Sequence, residues 1–502
     1  MDDMNIEFDP SKVTIQTTSA ELPQEAPTGR YMAAKKPISD LPQTERRRKK
    51  TKKQLFKENT LPLIILGIAA VLIVIFIAGS ITRAVQKHKI EKEASIAASE
   101  SIAAEEARLA AEADAILKDA ERLAAGYDYD QAIALIDGFS GNIGKYAQLQ
   151  DAKARFEYSK NALVVWDDPN TIVNLSFQHL IVDTERAFAH KELKNSLKKN
   201  FITVSEFQRI LDRLYANDYV LVGLDDFIET KSEDDTTYLA YKELYLPEGK
   251  KPIVLTQTNV NYGLYLVDSD DDLIADQDGV GIASKLVLDE DGEVACEFIH
   301  ADGTTAVGAY DLIPILDAFV EEHPDFSYHG AKAVLALTGY NGLFGYRTNA
   351  SAREDLGEEQ YEKDVAAVQA IAKKLTETGY ELGCYTYGNS SYGKLTLSKI
   401  QKEMNKWNDE VVPILGNLEI MVFAQNSDIK SGVVYSGSKF DYLQSQGFKY
   451  YLSFTTEGEP FTFIAEDYAR QGRLLVTADN LKKNAKWFNT IFDTEDLLDE
   501  SR

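Results

Sequence analysis

The pattern of apolar and polar positions divides the chain into a helical first part and a mixed second part. Leu61 to Ile81 form an uncharged apolar run whose length fits the ~20 helical residues needed to cross a bilayer. From about residue 164 onward, short β-branched runs alternate with amphipathic segments. This alternation is typical of α/β folds with parallel strands. Roughly seven or eight alternations favour a barrel over an open sheet.

Seven segments beyond residue 164 have the composition of strands. The candidates are TIVNLSF, YVLVGL, PIVLT, AVLALT, YELGC, IMVFA and YYLSF. They are rich in β-branched and aromatic residues, which fit a pleated surface. The segment TVSEFQRILDRLYAN predicts a helix that begins with a capping box of Thr203 and Glu206. Residues 264–330 interrupt the alternation with an acidic, turn-rich insert.

The region between the apolar run and the α/β part predicts a helical stalk. Its composition is dominated by Ala, Glu, Lys and Ser without Pro or Gly, which gives a strong helix preference. An apolar stripe recurs every seven residues, with weaker companion positions: Ile102, Leu109, Ile116 and Leu123, beside Glu106, Ala113 and Ala120. The stripe makes a homodimeric coiled coil through the stalk one possible arrangement.

Five segments follow from these patterns. They are a cytoplasmic disordered tail with a basic end (1–60), a transmembrane helix (61–82), a helical stalk (83–125), a helical hairpin spacer (126–164) and an α/β domain (165–502). Eight basic residues between Arg46 and Lys57 precede the apolar run. By the positive-inside rule they keep the N-terminus cytoplasmic and place the C-terminal domain outside the cell membrane.

The charge balance limits the partners of the protein. The 502 residues carry a formal net charge of −26, which argues against nucleic acid as a partner because phosphates require clustered Lys and Arg. The basic run beside the apolar segment instead predicts attraction to anionic membrane lipid. The two cysteines, Cys296 and Cys384, either pair or lie buried as small apolar residues, and spacing does not decide between the two.

The strand candidate PIVLT continues into a cluster of neutral polar residues, Thr256, Gln257, Thr258 and Asn259. An α/β enzyme usually places its reactive groups at such a strand end. Neither hydroxyl nor amide side chains accept a proton near neutral pH. The chain also lacks a G-x-S-x-G elbow, a Walker loop, a dinucleotide glycine fingerprint and a zinc-like Cys cluster.

The order of parts from about residue 168 to 495, and stretches such as FVEEHPDFSYHGAKAVLALTGYNGLFGYRT, resemble the polysaccharide deacetylases. These are carbohydrate esterases that remove acetyl groups from chitin-like and peptidoglycan sugars. In particular, the chain resembles a membrane-anchored bacterial subgroup with a long insert after the first motif. The resemblance implies a distorted (β/α) barrel for the domain at 165–502, preceded by the stalk and one transmembrane helix.

The resemblance also implies where the active site of the family would lie. Its first motif holds two aspartates, a general base and a metal ligand, and the corresponding positions here are Thr258 and Asn259. Its second motif holds two histidines that bind the metal, and here Tyr385 and Asn389 replace them. The counterpart of the third motif is EIMVFAQNSDI. All four catalytic and metal positions are therefore neutral.

The resulting hypothesis is a pseudoenzyme that binds cell-wall glycan or peptidoglycan without a cofactor. Glycan-binding candidates are Tyr262, Tyr387 and Tyr392, because flat rings stack on sugars, together with Asp428. One alternative is an active deacetylase with a divergent zinc or similar site that uses Asn259 and Asp428. Another is a structural scaffold of a cell-envelope complex.

Overall fold

The computed structural model describes residues 52–234, 236–268, 273–430, 432–455 and 459–502, and it describes residues 52–63 by their backbone alone. Most of the predicted cytoplasmic tail lies outside this range. The chain divides into two compact units, residues 1–98 and 99–502. The division falls inside the helix Lys52–Ala125, so the predicted transmembrane and stalk segments belong to one continuous helix.

The first unit contains one helical stretch that is long and apolar enough to cross a membrane. From Ile64 to Ile81 its large apolar side chains are exposed, as a lipid-facing helix requires. Uncharged apolar composition explains this part of the helix, and Ala, Glu and Lys explain the part that follows.

In the second unit, the end of the long helix packs with Tyr129–Asp137 and Ala147–Asn161. Ala113 and Ala120 are fully buried between these helices. The stripe residues Leu109, Ile116 and Leu123 contact the same cluster. From Leu109 onward the heptad stripe is therefore used within the chain, whereas Ile102 remains 61% exposed.

Seven parallel strands in the described part of the chain close into a barrel. They are β1 (Val173–Phe177), β2 (Lys251–Thr258), β3 (Ala333–Leu337), β4 (Glu381–Cys384), β5 (Ile420–Val422), β6 (Tyr450–Phe454) and β7 (Ala469–Leu475). Each pairs with the next, and β7 pairs with β1 to close the ring. The expectation of a (β/α) barrel is confirmed at this level.

Two differences separate the observed strands from the predicted ones. The candidate YVLVGL forms the strand Tyr219–Leu221, which pairs with the first residues of β2 and stays outside the ring. The ring is completed instead by β7, with the sequence ARQGRLL. Because this strand contains two arginines and a glutamine, a search for apolar runs does not identify it.

The remaining elements surround the ring. The helices in the described residues are Thr184–Ala189, Lys194–Asn200, Val204–Ala216, Leu224–Phe227, Leu264–Val267, Leu312–Glu322, Ala350–Leu356, Glu358–Glu377, Leu397–Glu410, Val412–Leu415, Ser438–Ser445, Ala478–Lys483 and Ala485–Phe488. Short 3-10 turns are Ile143–Lys145, Pro169–Thr171, Pro324–Phe326 and Ala424–Asn426. The capping box of Thr203 and Glu206 is confirmed, since the side chain of each accepts from the backbone N–H of the other.

Smaller antiparallel sheets complete the structure. They are Val164–Trp166 with Leu244–Leu246, Ile228–Glu233 with Thr236–Tyr241, and the insert strands Lys285–Leu288, Val294–Ile299 and Thr305–Gly308; Thr462–Ile464 pairs with β7. Cys296 and Cys384 are both buried and free, so they do not form a disulfide with each other.

The inner face of the ring mixes apolar and polar layers. Val254, Val334 and Val422 are buried in a cluster separate from the one that packs under the helices. A polar layer crosses the ring as well: the Thr256 hydroxyl donates to Asn174 Oδ1 at 2.9 Å, and Asn174 Nδ2 donates to Gln471 Oε1 at 2.8 Å. Polar residues on β1, β2 and β7 thus stabilise one another inside the barrel.

Candidate functional site

The four positions expected to carry catalysis follow the carboxyl ends of β2 and β4. Thr258 is the last residue of β2 and Asn259 follows it, while Tyr385 comes directly after β4 and Asn389 lies in the same loop. The strand β3 pairs with both β2 and β4. The structure therefore places all four residues at one end of the ring, which we call the mouth of the barrel.

The two positions of the first motif are hydrogen-bonded within the protein. The Thr258 hydroxyl donates to the carbonyl oxygen of Phe177 at 3.0 Å. The Thr338 hydroxyl donates to Asn259 Oδ1 at 3.3 Å. Both side chains are almost fully buried. They serve as structural connections between neighbouring strand ends, and neither offers a charge to a metal.

A buried histidine supports the backbone at Asn259. His179 Nε2 lies 2.9 Å from the Asn259 carbonyl oxygen, and His179 Nδ1 lies 3.1 Å from Asp311 Oδ2. The same carboxylate oxygen accepts from Gln257 Nε2 and from the Tyr262 hydroxyl, each at 2.8 Å. The pair His179–Asp311 thus holds the first loop of the mouth in place.

The mouth loops contain strained backbone. Left-handed φ angles occur at Asn259 (64°), Tyr262 (47°), Thr386 (62°), Asn389 (52°), Gln425 (52°) and Asn426 (51°). Non-glycine residues rarely adopt this region, and such residues cluster at functional sites. These six residues lie in the loops after β2, β4 and β5. The strain marks the mouth as the candidate functional site.

The most unusual group near the mouth is the guanidinium of Arg473 on β7, which is fully buried. It donates to Ser176 Oγ at 2.7 Å and to the Phe423 carbonyl oxygen at 2.9 Å, and it lies 4.4 Å from the centre of the Phe454 ring. Its Nε–H has no partner, and no carboxylate among the described residues pairs with it. Burial lowers the pKa of Arg473 to about 10, so it stays cationic at neutral pH.

Two further buried arginines lie in this half of the barrel. Arg347 donates to the carbonyl oxygens of Tyr262 and Asn341, which belong to the loops after β2 and β3. Burial lowers the pKa of Arg347 to about 10, against the opposing charges of Asp268 and Asp364. Arg470 forms an ion pair with Asp428. Arg347 and Arg470 thus have carboxylates nearby, unlike Arg473.

The predicted glycan platforms are not exposed. Tyr262 and Tyr392 are fully buried, and Tyr387 is 6% exposed. The Tyr262 hydroxyl donates to Asp311, and the Tyr387 hydroxyl donates to Glu410 Oε2 at 2.9 Å. In this conformation none of the three rings can stack on a sugar, because their faces pack inside the protein.

Asp428 likewise has protein partners. Its carboxylate pairs with Arg470 and accepts from the Tyr435 hydroxyl at 2.8 Å. A metal site built from Asn259 and Asp428 would have to compete with this guanidinium. Among the described residues, no group of three or more His, Cys, Asp or Glu side chains is arranged to hold a metal ion. The donor set at the mouth does not fit a divalent cation, which prefers anionic oxygen or neutral imidazole ligands.

An aromatic residue that sequence reasoning missed is exposed at the mouth. Tyr265 is 52% exposed, and its partial burial, together with the nearby Tyr340 and Tyr385, raises its pKa to about 12. Gln425 and Asn426 are also exposed there. These neutral side chains form the accessible rim. The sequence does contain Tyr265 shortly after the first motif, but nothing in the sequence distinguishes it from the neighbouring Tyr262.

Comparisons with known proteins add little to this geometry. No family model matches the chain, and no curated protein sequence matches it. Among solved structures, the deacetylase PplD of Streptococcus pyogenes in complex with acetate is similar with a TM-score of 0.33 and 10% sequence identity, over 64% of this chain and 97% of that chain. The description of the fold therefore rests on the closed parallel ring itself.

Proposed function

We propose that this chain is a single-pass membrane protein whose polysaccharide deacetylase-like barrel binds a cell-envelope glycan without hydrolysing it. The observation that carries the proposal is Arg473, a buried cation without an acidic partner near the place where the family binds its metal. The basic run before the apolar helix supports a cytoplasmic N-terminus and an extracellular barrel.

Hydrolysis of an amide by this family depends on a metal-activated water and a carboxylate base. A bound divalent metal lowers the pKa of water from 15.7 to about 7. Here a second cation would have to enter beside the Arg473 guanidinium, where the low dielectric strengthens repulsion. Thr258 at the base position cannot take the proton. Both requirements of the reaction are unmet.

Binding of a glycan is supported by the rim. Tyr265 offers an exposed ring, and Gln425 and Asn426 offer exposed amides that can donate to and accept from sugar hydroxyls. The strained loops keep these groups in fixed positions, which reduces the entropy lost on binding. A neutral, preorganised rim of this kind favours the binding of a polyhydroxyl ligand over the catalysis of its hydrolysis.

Acetate release from N-acetylated glycan fragments tests the proposal. The full chain in lipid nanodiscs is measured with excess zinc or cobalt beside the variant Thr258→Asp, Asn259→Asp, Tyr385→His and Asn389→His. We expect no release from the natural chain. We call this fourfold variant the restored set, because it carries the Asp, Asp, His and His residues of the family. We expect it to bind zinc about tenfold more tightly when Arg473→Met is added, because a repelling charge is gone.

The matched control adds Arg209→Met to the restored set instead, because the charge of Arg209, on the helix Val204–Ala216, is already paired with Asp499. This control should give no comparable gain in zinc affinity. Turnover by the natural chain would show that it is an active deacetylase, and the proposal would be wrong.

A further inference from the structure

We infer that the mouth binds its ligand through a carboxylate, with Arg473 as the counter-charge, so that the glycan carries an acidic sugar. The inference rests on the proposed function and specifies the ligand class. Its starting point is the isolation of Arg473, whose charge is buried without an anionic partner in the described part of the chain. Removing a guanidinium from water is costly unless an anion replaces that hydration.

The hydrogen bonds of Arg473 leave one of its donors without a partner. The two terminal nitrogens donate to Ser176 and Phe423, and one face of the guanidinium covers the Phe454 ring. The Nε–H is buried and has no partner. Because both terminal nitrogens already donate within the protein, a carboxylate would be held by this single donor and by the charge of the guanidinium. The unfilled donor therefore predicts one accepting oxygen of a planar anion.

The surroundings of Arg473 suit such an anion. Tyr385 lies close enough to Arg473 to interact with its charge, and a tyrosine hydroxyl can donate a hydrogen bond. The loop residues Asn259 and Asn389 are neutral, so the four replaced positions add no repelling carboxylate. The Asn389 Oδ1 atom is also buried without a partner, and it can accept from a sugar hydroxyl.

Access to this site has a kinetic consequence. Arg473 is fully buried and Tyr385 is only 7% exposed. A carboxylate can reach the guanidinium only after side chains at the mouth move aside. We therefore expect slow association, with the affinity carried by a slow dissociation rate.

Matched sugars test the inference on the full chain in nanodiscs. Titration calorimetry compares methyl glucuronide with methyl glucoside, which differ in the carboxylate at carbon 6, and also measures inorganic phosphate. We expect the glucuronide to bind at least about tenfold more tightly than the glucoside. Arg473→Gln should abolish this preference, and Arg473→Lys should retain part of it.

Arg209→Gln is the matched control, because the charge of Arg209, on the helix Val204–Ala216, is already paired with Asp499. It should leave the preference for the acidic sugar unchanged. If Arg473→Gln does not fold, the Nε–H resonance of Arg473 in arginine-labelled protein replaces the variant. That resonance should shift with glucuronide and stay in place with glucoside.

The possible failures are distinct. Equal binding of both sugars, or a preference that survives Arg473→Gln, overturns the inference but leaves glycan binding intact. Phosphate that competes as well as glucuronide shows a general anion site and overturns the carboxylate assignment. Binding of neither sugar overturns the proposed function itself.

Discussion

The two ends of the barrel differ in their charged side chains: the mouth buries arginines together with Asp311, whereas the opposite end holds a cluster of carboxylates that are only partly buried or exposed. At the mouth, Arg473 and Arg347 are buried arginines with hydrogen bonds mainly to neutral oxygens. At the opposite end, where β4 begins, Glu381 lies beside Asp225 and Asp226 of the short helix Leu224–Phe227. A metal-dependent hydrolase needs its acids at the mouth. The comparison teaches that one closed ring can hold different charged groups at its two ends.

The acidic end is crowded. The backbone N–H of Leu224 donates to Glu381 Oε2 at 3.0 Å, and that of Gly223 donates to Asp226 Oδ2 at 2.8 Å. A Cβ atom at Gly223 would lie 2.8 Å from Asp225 Oδ1 and 3.5 Å from an oxygen of each of the other two carboxylates. Burial, opposed in part by these hydrogen bonds, raises the pKa of Asp226 to about 7 and that of Glu381 to about 8.

The largest expected effect is a pH dependence of stability from this acidic end. Because the folded pKa values of Asp226 and Glu381 lie above the unfolded ones, the native state binds extra protons. The contribution of these two groups to stability should be fully present below about pH 4 and should be lost as pH rises towards about 8. A shift of about three pKa units corresponds to roughly 4 kcal/mol for one group. Denaturant unfolding at a series of pH values measures it.

The double variant Asp226→Asn and Glu381→Gln provides the control for that pH series. It removes both titrating groups and keeps an oxygen that accepts from each backbone N–H. The slope of unfolding free energy between about pH 5 and 8 should flatten. A slope equal to that of the natural chain would mean that other groups are responsible.

Two substitutions on β7 should change stability in opposite directions. Arg470→Met leaves Asp428 without its guanidinium and should cost about 3 kcal/mol. Arg473→Met removes a buried charge that has no acidic partner, and it should be neutral or stabilising by about 1 kcal/mol in the absence of ligand. Urea unfolding of both variants at pH 7 compares them. Equal destabilisation by both would contradict the view that Arg473 is uncompensated.

The smallest expected effect on stability is at Tyr265. Because its ring is 52% exposed, Tyr265→Ala should change the unfolding free energy by no more than about 0.5 kcal/mol. It should nevertheless weaken glycan binding severalfold, because an exposed ring at the mouth is lost. Tyr392→Phe is the buried counterpart and should leave glycan binding unchanged. Loss of binding in the second variant alone would place the sugar elsewhere.

Much of the fold could be predicted from local patterns, because apolar runs and capping residues act over short distances. The strand β7 could not, because Gln471 and Arg473 point into a polar layer whose partners, Asn174 and Ser176, lie on β1. Such a layer exists only once the ring has closed. A strand with polar residues facing inwards resembles an exposed loop when read in isolation.

The candidate site was predicted in part. The resemblance located Thr258, Asn259 and Tyr385 at what the structure shows to be the mouth, and their neutrality was evident from residue type alone. The exposure of the tyrosines was not predictable, because a phenol suits a buried and an exposed position equally well. The structure buries Tyr262 and exposes Tyr265, only three residues further along. Residue type thus indicated the absence of acidic and imidazole side chains at the family's catalytic positions better than it indicated which tyrosines are exposed.

The pair His179–Asp311 has a consequence for how this mouth can evolve. It fixes the backbone of Asn259 through contacts made entirely by the chain, so the first loop keeps its shape whatever ligand is present. Side chains on the outer rim, such as Gln425 and Asn426, can then change without collapse of the loops beneath them. A barrel built in this way can vary its rim over generations while its frame stays the same.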